Sequence, residues 1–115
     1  VEILAALRGR VLVAHYAPTE LGFLDAACRR CLGGGLLVPV VDTLHLARRS
    51  CARAGQEPVR GELRLDALRA RYNLPEHSMH DALGDALAAA ELFLAQAEEL
   101  SAGERLPLGQ LLSRL

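Results

Sequence analysis

Apolar residues change period along this chain in a fixed order, which predicts helices alternating with strands. Residues 2–7, Glu-Ile-Leu-Ala-Ala-Leu, read as a short helical piece that ends near Gly9. Val11-Leu12-Val13-Ala14 is an unbroken apolar run of the kind found in strands buried on both faces. After His15-Tyr16-Ala17-Pro18, Thr19 is placed to cap a helix with Glu20 in its first turn. Leu21, Leu24, Cys28 and Leu32 share one face of that helix, and Gly33-Gly34-Gly35 breaks it. Residues 36–41 read as a second buried strand, closing at Asp42-Thr43. Strand, helix, strand is a βαβ unit, expected to hold its strands parallel through a right-handed crossover.

Helical spacing resumes from Leu44 to about Ala54, a loop runs through Gly55 to Pro58, and Leu65, Leu68 and Tyr72 mark a further short helix. Asn73-Leu74-Pro75 ends it. The last long helical run follows Met79-His80-Asp81, and its buried face is read as Leu83, Ala86 or Leu87, Ala90, Leu94 and Ala97. Residues 103–115 carry a weak amphipathic pattern (Leu108, Leu111, Leu112, Leu115) that suits either their own core or a partner. No linker divides the chain, so residues 1–115 are expected to make up at most one domain.

Composition narrows the core chemistry. Of 115 residues 51% are hydrophobic, yet there are two Phe, two Tyr and no Trp, so Leu, Val and Ala must fill the interior. The net charge of −1 gives no general basic field, and a nucleic acid would have to be held locally. All 13 basic residues are Arg, which reads as a GC-rich coding bias, although the guanidinium fork suits phosphate. Three cysteines with no signal peptide point to a reducing, cytoplasmic setting. Cys28-Arg29-Arg30-Cys31 has redox or zinc spacing without a second pair, so both thiols read as small core filler. No apolar run approaches the length of a membrane span.

Candidate chemistry gathers at three places. His80 stands just outside the last long helix and Asp85 one turn inside it, so both converge on a helix N-terminus, an end that favours anions. An imidazole beside a carboxylate supplies a base for water and an oxygen ligand for a cation. An acid favoured by the helix dipole is the plainer reading. His15 and Glu20 follow the first strand, and Asp42 ends the second. Parallel α/β sheets gather ligands outside the carboxyl ends of their strands, so Glu20, Asp42, His80 and Asp85 are expected around one crevice. Each acid alone is equally a cap or turn former, and Asp42-Thr43 is a sound helix start.

These residues resemble a known family. The stretch 11–24, Val-Leu-Val-Ala-His-Tyr-Ala-Pro-Thr-Glu-Leu-Gly-Phe-Leu, resembles the second motif of the DnaQ-like (DEDDh) 3'-5' exonucleases, which have an RNase H-like α/β fold. Pro39-Val40-Val41-Asp42-Thr43-Leu44 is similar to the strand and turn that follow in that family. Leu65-Asp66-Ala67-Leu68 through Tyr72, then His80-Asp81-Ala82-Leu83-Gly84-Asp85-Ala86, resembles its third motif and the approach to it. The resemblance implies the C-terminal portion of the fold, a βαβ unit with flanking helices. It casts His80 as general base, Asp85 and Glu20 as metal ligands, His15 and Tyr16 as substrate-binding residues and Asp42 as support. Two Mg²⁺ or Mn²⁺ ions and the 3' end of single-stranded DNA or RNA are the implied cofactors and partner. Arg48, Arg49 and Arg53 are candidate phosphate contacts, with an Arg-rich solvated helix face as the default reading.

Departures from the family pattern bear on activity. The first motif, an Asp-x-Glu on an apolar strand that supplies most metal ligands, has no counterpart in the chain. Glu20 stands where Asp is usual, Tyr16 where Asn is usual and Thr19 where an aromatic is usual. Two readings follow: a nuclease domain inactive as this stretch alone, or a degenerate relative that binds or regulates. A two-stranded sheet also leaves an exposed edge, expected to pair with another copy or with an N-terminal segment, or to leave the chain marginally stable.

Overall fold

Two short parallel strands, laid side by side with their carboxyl ends level, form the centre of the molecule. The computed structural model describes residues 2–76 and 81–113. Helix α1 (Glu2–Leu7) leads into β1 (Leu12–Ala14), α2 (Ala17–Leu32), β2 (Val40–Asp42), α3 (Thr43–Arg53), α4 (Leu65–Arg71), α5 (Ala82–Ser101) and a closing 3₁₀ turn, Leu108–Gln110. The register sets Leu12 opposite Val40, Val13 opposite Val41 and Ala14 opposite Asp42. The parallel βαβ unit expected from the alternation of apolar runs is therefore present, with helices around a mixed α/β core.

The second strand is shorter than its apolar run. Pro39 has no N–H to give a ladder, and Leu36 N donates instead to Asp25 of α2 at 2.8 Å. Leu37 is consequently 99% exposed. The expected cap is also displaced: α2 begins at Ala17, with Tyr16 at the N-cap and Thr19 already inside the helix. The acceptor for its first N–H groups comes from the other strand. Asp42 takes Tyr16 N at 2.9 Å, Ala17 N at 2.9 Å and Leu44 N at 3.0 Å. A single carboxylate, 5% exposed, thus caps two helices whose N-terminal dipoles both favour it.

Leu46, Leu68, Leu92 and Val41 make the centre of the core, filled out by Ala47, Ala88 and Leu111. Helix α5 buries Gly84, Ala88, Ala89, Leu92 and Gln96, while Phe93, Ala97 and Leu100 pack toward Val11, Val13 and Val41. The stripe read from sequence is overturned: Leu83, Leu87 and Leu94 are 71%, 56% and 66% exposed, and of that stripe only Ala97 packs inward. Apolar residues surround this helix, so periodicity alone does not choose a face. Polar partners choose it. Gln96 Nε2 donates to Thr43 O at 2.9 Å from full burial. Arg69 of α4, 4% exposed, donates to Ala88 O at 2.9 Å and to Pro75 O at 2.8 Å and pairs with Glu91 at 3.0 Å.

The C-terminal segment docks on its own core. Leu111 is buried beside Val41 and Leu46, and Ser113 N donates to Val40 O at 2.7 Å along the outer side of β2. Among the described residues no strand pairs with the outer edge of β1. Cys51 is buried in α3 and Cys28 is partly covered, but Cys31 is exposed, which corrects its reading as core filler. Helix α2 buries only Ala17 fully, so its last turn stands in solvent. No described helix is long and apolar enough to cross a membrane.

Asp42→Ala is expected to lower the unfolding free energy by about 3 kcal/mol in urea titrations, since several N–H groups lose their acceptor in a site too buried for water to replace it. Asp42→Asn retains one oxygen acceptor and should lose about 1 kcal/mol. A loss under about 1 kcal/mol for the Ala variant would show that the strand ends hold without this carboxylate.

Candidate active site

The carboxyl ends of β1 and β2 place His15 beside Thr43, because Ala14 and Asp42 are register partners. His15 Nδ1 lies 2.8 Å from Thr43 Oγ1, and Nε2 lies 2.9 Å from Leu63 O in the α3–α4 connection. A carbonyl only accepts, so Nε2 carries a proton and donates to Leu63 O. Burial is the main influence on this ring and lowers its pKa from 6.5, against the raising effects of the Leu63 bond and of the Asp42 and Glu20 charges. In the neutral ring Nδ1 is then an acceptor, and the single Thr43 hydroxyl hydrogen is shared between this nitrogen at 2.8 Å and Ala14 O at 3.3 Å.

Glu20 stands exposed in the first turn of α2, close enough for its charge to act on His15. Asp85 stands exposed in the first turn of α5 and lines the same cavity as His15. Asp81, the preceding acid, caps α5 by accepting from Gly84 N at 2.6 Å. Its signal was present in the sequence, an Asp immediately before the helical run. His80 lies outside the described residues. Asp42 faces His15 electrostatically, but its oxygens are spent on backbone N–H groups. Of the expected crevice residues, Glu20 and Asp42 lie near enough for their charges to act on His15, and Asp85 lines the cavity that His15 also lines.

Tyr16 is half exposed at the mouth of these strand ends, with φ at 63° in the left-handed region. For a residue with a Cβ this conformation costs about 1–2 kcal/mol, least for Asn. The Asp42 bond to its N–H holds it there.

The basic residues sort differently from expectation. Arg48 lines the cavity, whereas Arg49 donates to Gln110 O and holds the C-terminal segment, and Arg53 ends α3 away from the cavity. Arg60 and Arg64 also line it, and sequence reading missed both because they sit in a connection without periodicity.

For a divalent cation the available donors are few. Both His15 nitrogens and the Asp42 oxygens are engaged in holding the fold. Glu20 and Asp85 are exposed carboxylates at the site, and among the described residues no three His, Cys, Asp or Glu side chains cluster closely enough to hold a metal ion. The described donor set does not by itself fit a two-ion centre, which needs several carboxylates around the pair.

His15 and Tyr16 each generate a measurable expectation. Folding keeps His15 below its unfolded pKa of 6.5, so the unfolded chain binds the extra proton and stability falls as pH drops below about 6.5. Thermal melts of His15→Gln between pH 7.5 and 5.5 should show a flatter pH slope than the parent chain, and equal slopes would refute the assignment. Tyr16→Asn should raise stability by about 1 kcal/mol through relief of left-handed strain. A destabilised Asn variant would mean that the tyrosine ring contributes more packing than its backbone costs.

The chain is similar in sequence to known proteins. The sequence model of the exonuclease family matches residues 1–93. A Mycobacterium tuberculosis protein named as a bifunctional exonuclease/endonuclease is 38% identical over 90 residues, covering 78% of this chain and 13% of the relative. A DNA polymerase III subunit epsilon-like protein of Rhodobacter capsulatus is 36% identical over 109 residues, covering 93% of the chain and 14% of the relative. DNA polymerase III subunit epsilon of Treponema pallidum is 36% identical over 87 residues, covering 76% of the chain and 39% of the relative. The chain thus spans between 13% and 39% of the length of these relatives. No solved structure matches it. With the matched span running from α1 through β1, β2 and most of α5, and so through both strand ends and the turn that carries Asp85, this chain belongs to the DnaQ-like exonuclease family of RNase H-like α/β domains.

Proposed function

We propose that the chain is the His80-, Asp85- and Glu20-bearing part of a domain that removes nucleotides from the 3' end of single-stranded DNA or RNA. The observation that carries this reading is the common cavity of Asp85 and His15 at the strand ends, beside Glu20. In this reading His80 takes the proton of the attacking water, and the bond from phosphorus to the 3'-oxygen breaks as the new one forms. Asp85 and Glu20 supply ligand oxygens for Mg²⁺ or Mn²⁺, His15 fixes the strand end, and Tyr16 meets the terminal nucleotide at the mouth. Two carboxylates and one base are too few donors for a two-ion centre. This chain alone is therefore inactive, and hydrolysis awaits the Asp-x-Glu strand of the family's first motif.

Glu20 in place of Asp and the strained Tyr16 in place of Asn support a second reading, a degenerate domain that binds nucleic acid or a partner without cutting. A 5'-labelled single-stranded oligonucleotide with Mn²⁺ separates the two. The chain alone should leave it intact, and a polypeptide that also supplies the Asp-x-Glu strand should shorten it from the 3' end. His80→Ala in that longer polypeptide should slow shortening about 100-fold or more. No shortening by the longer polypeptide would sink the nuclease reading in favour of the binding module, and shortening by the chain alone would overturn its inactivity.

A further inference from the structure

The cavity beside Asp85 reaches from His15 at the strand ends to Asp66 and Arg69 of α4. It encloses about 690 Å³ between α3, the α3–α4 connection, α4 and the first turn of α5. Arg48, Arg60 and Arg64 line it and are all exposed. Arg64 reaches a carboxylate, that of Asp66, only at 3.7 Å, and both side chains of that pair are about three-quarters exposed. Such a pair holds little energy and yields readily to a stronger anion. Arg69 also lines the cavity but is neutralised by Glu91 at 3.0 Å. Arg48, Arg60, Arg64 and Arg69 outnumber the two carboxylates of the lining, Asp66 and Asp85, so a chain whose net charge is −1 carries a local excess of positive charge here.

We infer that this cavity is a subsite for the sugar–phosphate backbone of a single strand, with Arg48, Arg60 and Arg64 each meeting phosphate oxygens upstream of the residue held near Asp85. The inference rests on the nuclease reading for the polarity of the strand, and it adds which residues of the chain grip the substrate. Guanidinium forks match phosphate oxygens geometrically and keep their charge at every relevant pH. The cavity lining holds no Phe, Tyr or Trp, and its one aromatic ring, His15, is held at both nitrogens, so bases find no broad stacking platform. Leu44, Val59 and Leu63 offer only an apolar floor. Binding should accordingly be electrostatic, steeply dependent on salt and nearly indifferent to base identity.

The test measures binding without chemistry. Fluorescence anisotropy of a 5'-labelled ten-nucleotide oligo-dT is followed with the full chain in EDTA, across a range of KCl concentrations. The triple variant R48Q/R60Q/R64Q is compared with R8Q/R30Q/R105Q, which removes the same charge from exposed positions outside the cavity. Melting curves check that each variant remains folded. The cavity variant should bind about 10-fold or more weakly, and its salt slope should be shallower by about 2, the value for losing three phosphate contacts on a single strand. The control variant should stay close to the parent. Equal weakening of both variants, or no weakening of the cavity variant, would overturn the subsite and leave the nuclease reading standing. A folded parent chain that binds neither oligo-dT nor oligo-U at low salt would overturn both.

Discussion

A single buried carboxylate holds the architecture together. Asp42 ends β2, and its oxygens accept from Tyr16, Ala17 and Leu44, so one side chain joins both strand ends to the starts of α2 and α3. With only three residues in each strand, the ladder alone gives few backbone bonds with which to fix register. The charge compensates, because it sits at two helix N-termini where the backbone supplies donors and positive potential together. Everything functional at the strand ends inherits its position from this point: His15 leans on Thr43, and Tyr16 is held in the left-handed region.

A second set of buried polar groups orients α5. Gln96 reaches the Thr43 carbonyl, and Arg69 ties α4 to the Ala88 carbonyl and to Glu91. A buried guanidinium is costly unless its hydrogens find acceptors, so these bonds leave the helix little freedom to rotate about its axis. That rotation decides where Asp85 points. The exposed Leu83, Leu87 and Leu94 are the consequence, since the helix turns Ala88, Leu92 and Gln96 to the core and leaves those leucines outside.

Charge is likewise distributed by position rather than by total. Arg49 serves the C-terminal segment and Arg69 serves helix packing, whereas Arg48, Arg60 and Arg64 stand at the cavity. Residues of one type thus divide between holding the fold and lining the cavity, and only their neighbours distinguish them. The neutral His15 ring marks the boundary, kept uncharged by burial although two carboxylates lie near it.

Local sequence determined the order of elements and the limits of several of them, because unbroken apolar runs, helical spacing and Gly or Pro breaks act over a few residues. Helix α1 spans the six residues its pattern marked, and α3 and α4 fall within a residue or so of theirs. The Asp42-Thr43 helix start was equally legible, as was the motif order that identifies the family. Tertiary structure decided what depended on distant partners. It shortened β2 at Pro39, moved the cap of α2 from Thr19 to Asp42, and turned α5 away from its leucine stripe. It also brought Arg60 and Arg64 of an aperiodic connection to the cavity beside Asp85. In each case the deciding bond or shared surface joins residues far apart in the chain. A local pattern carries no information about such contacts, because burial and hydrogen-bond satisfaction are properties of the packed molecule as a whole.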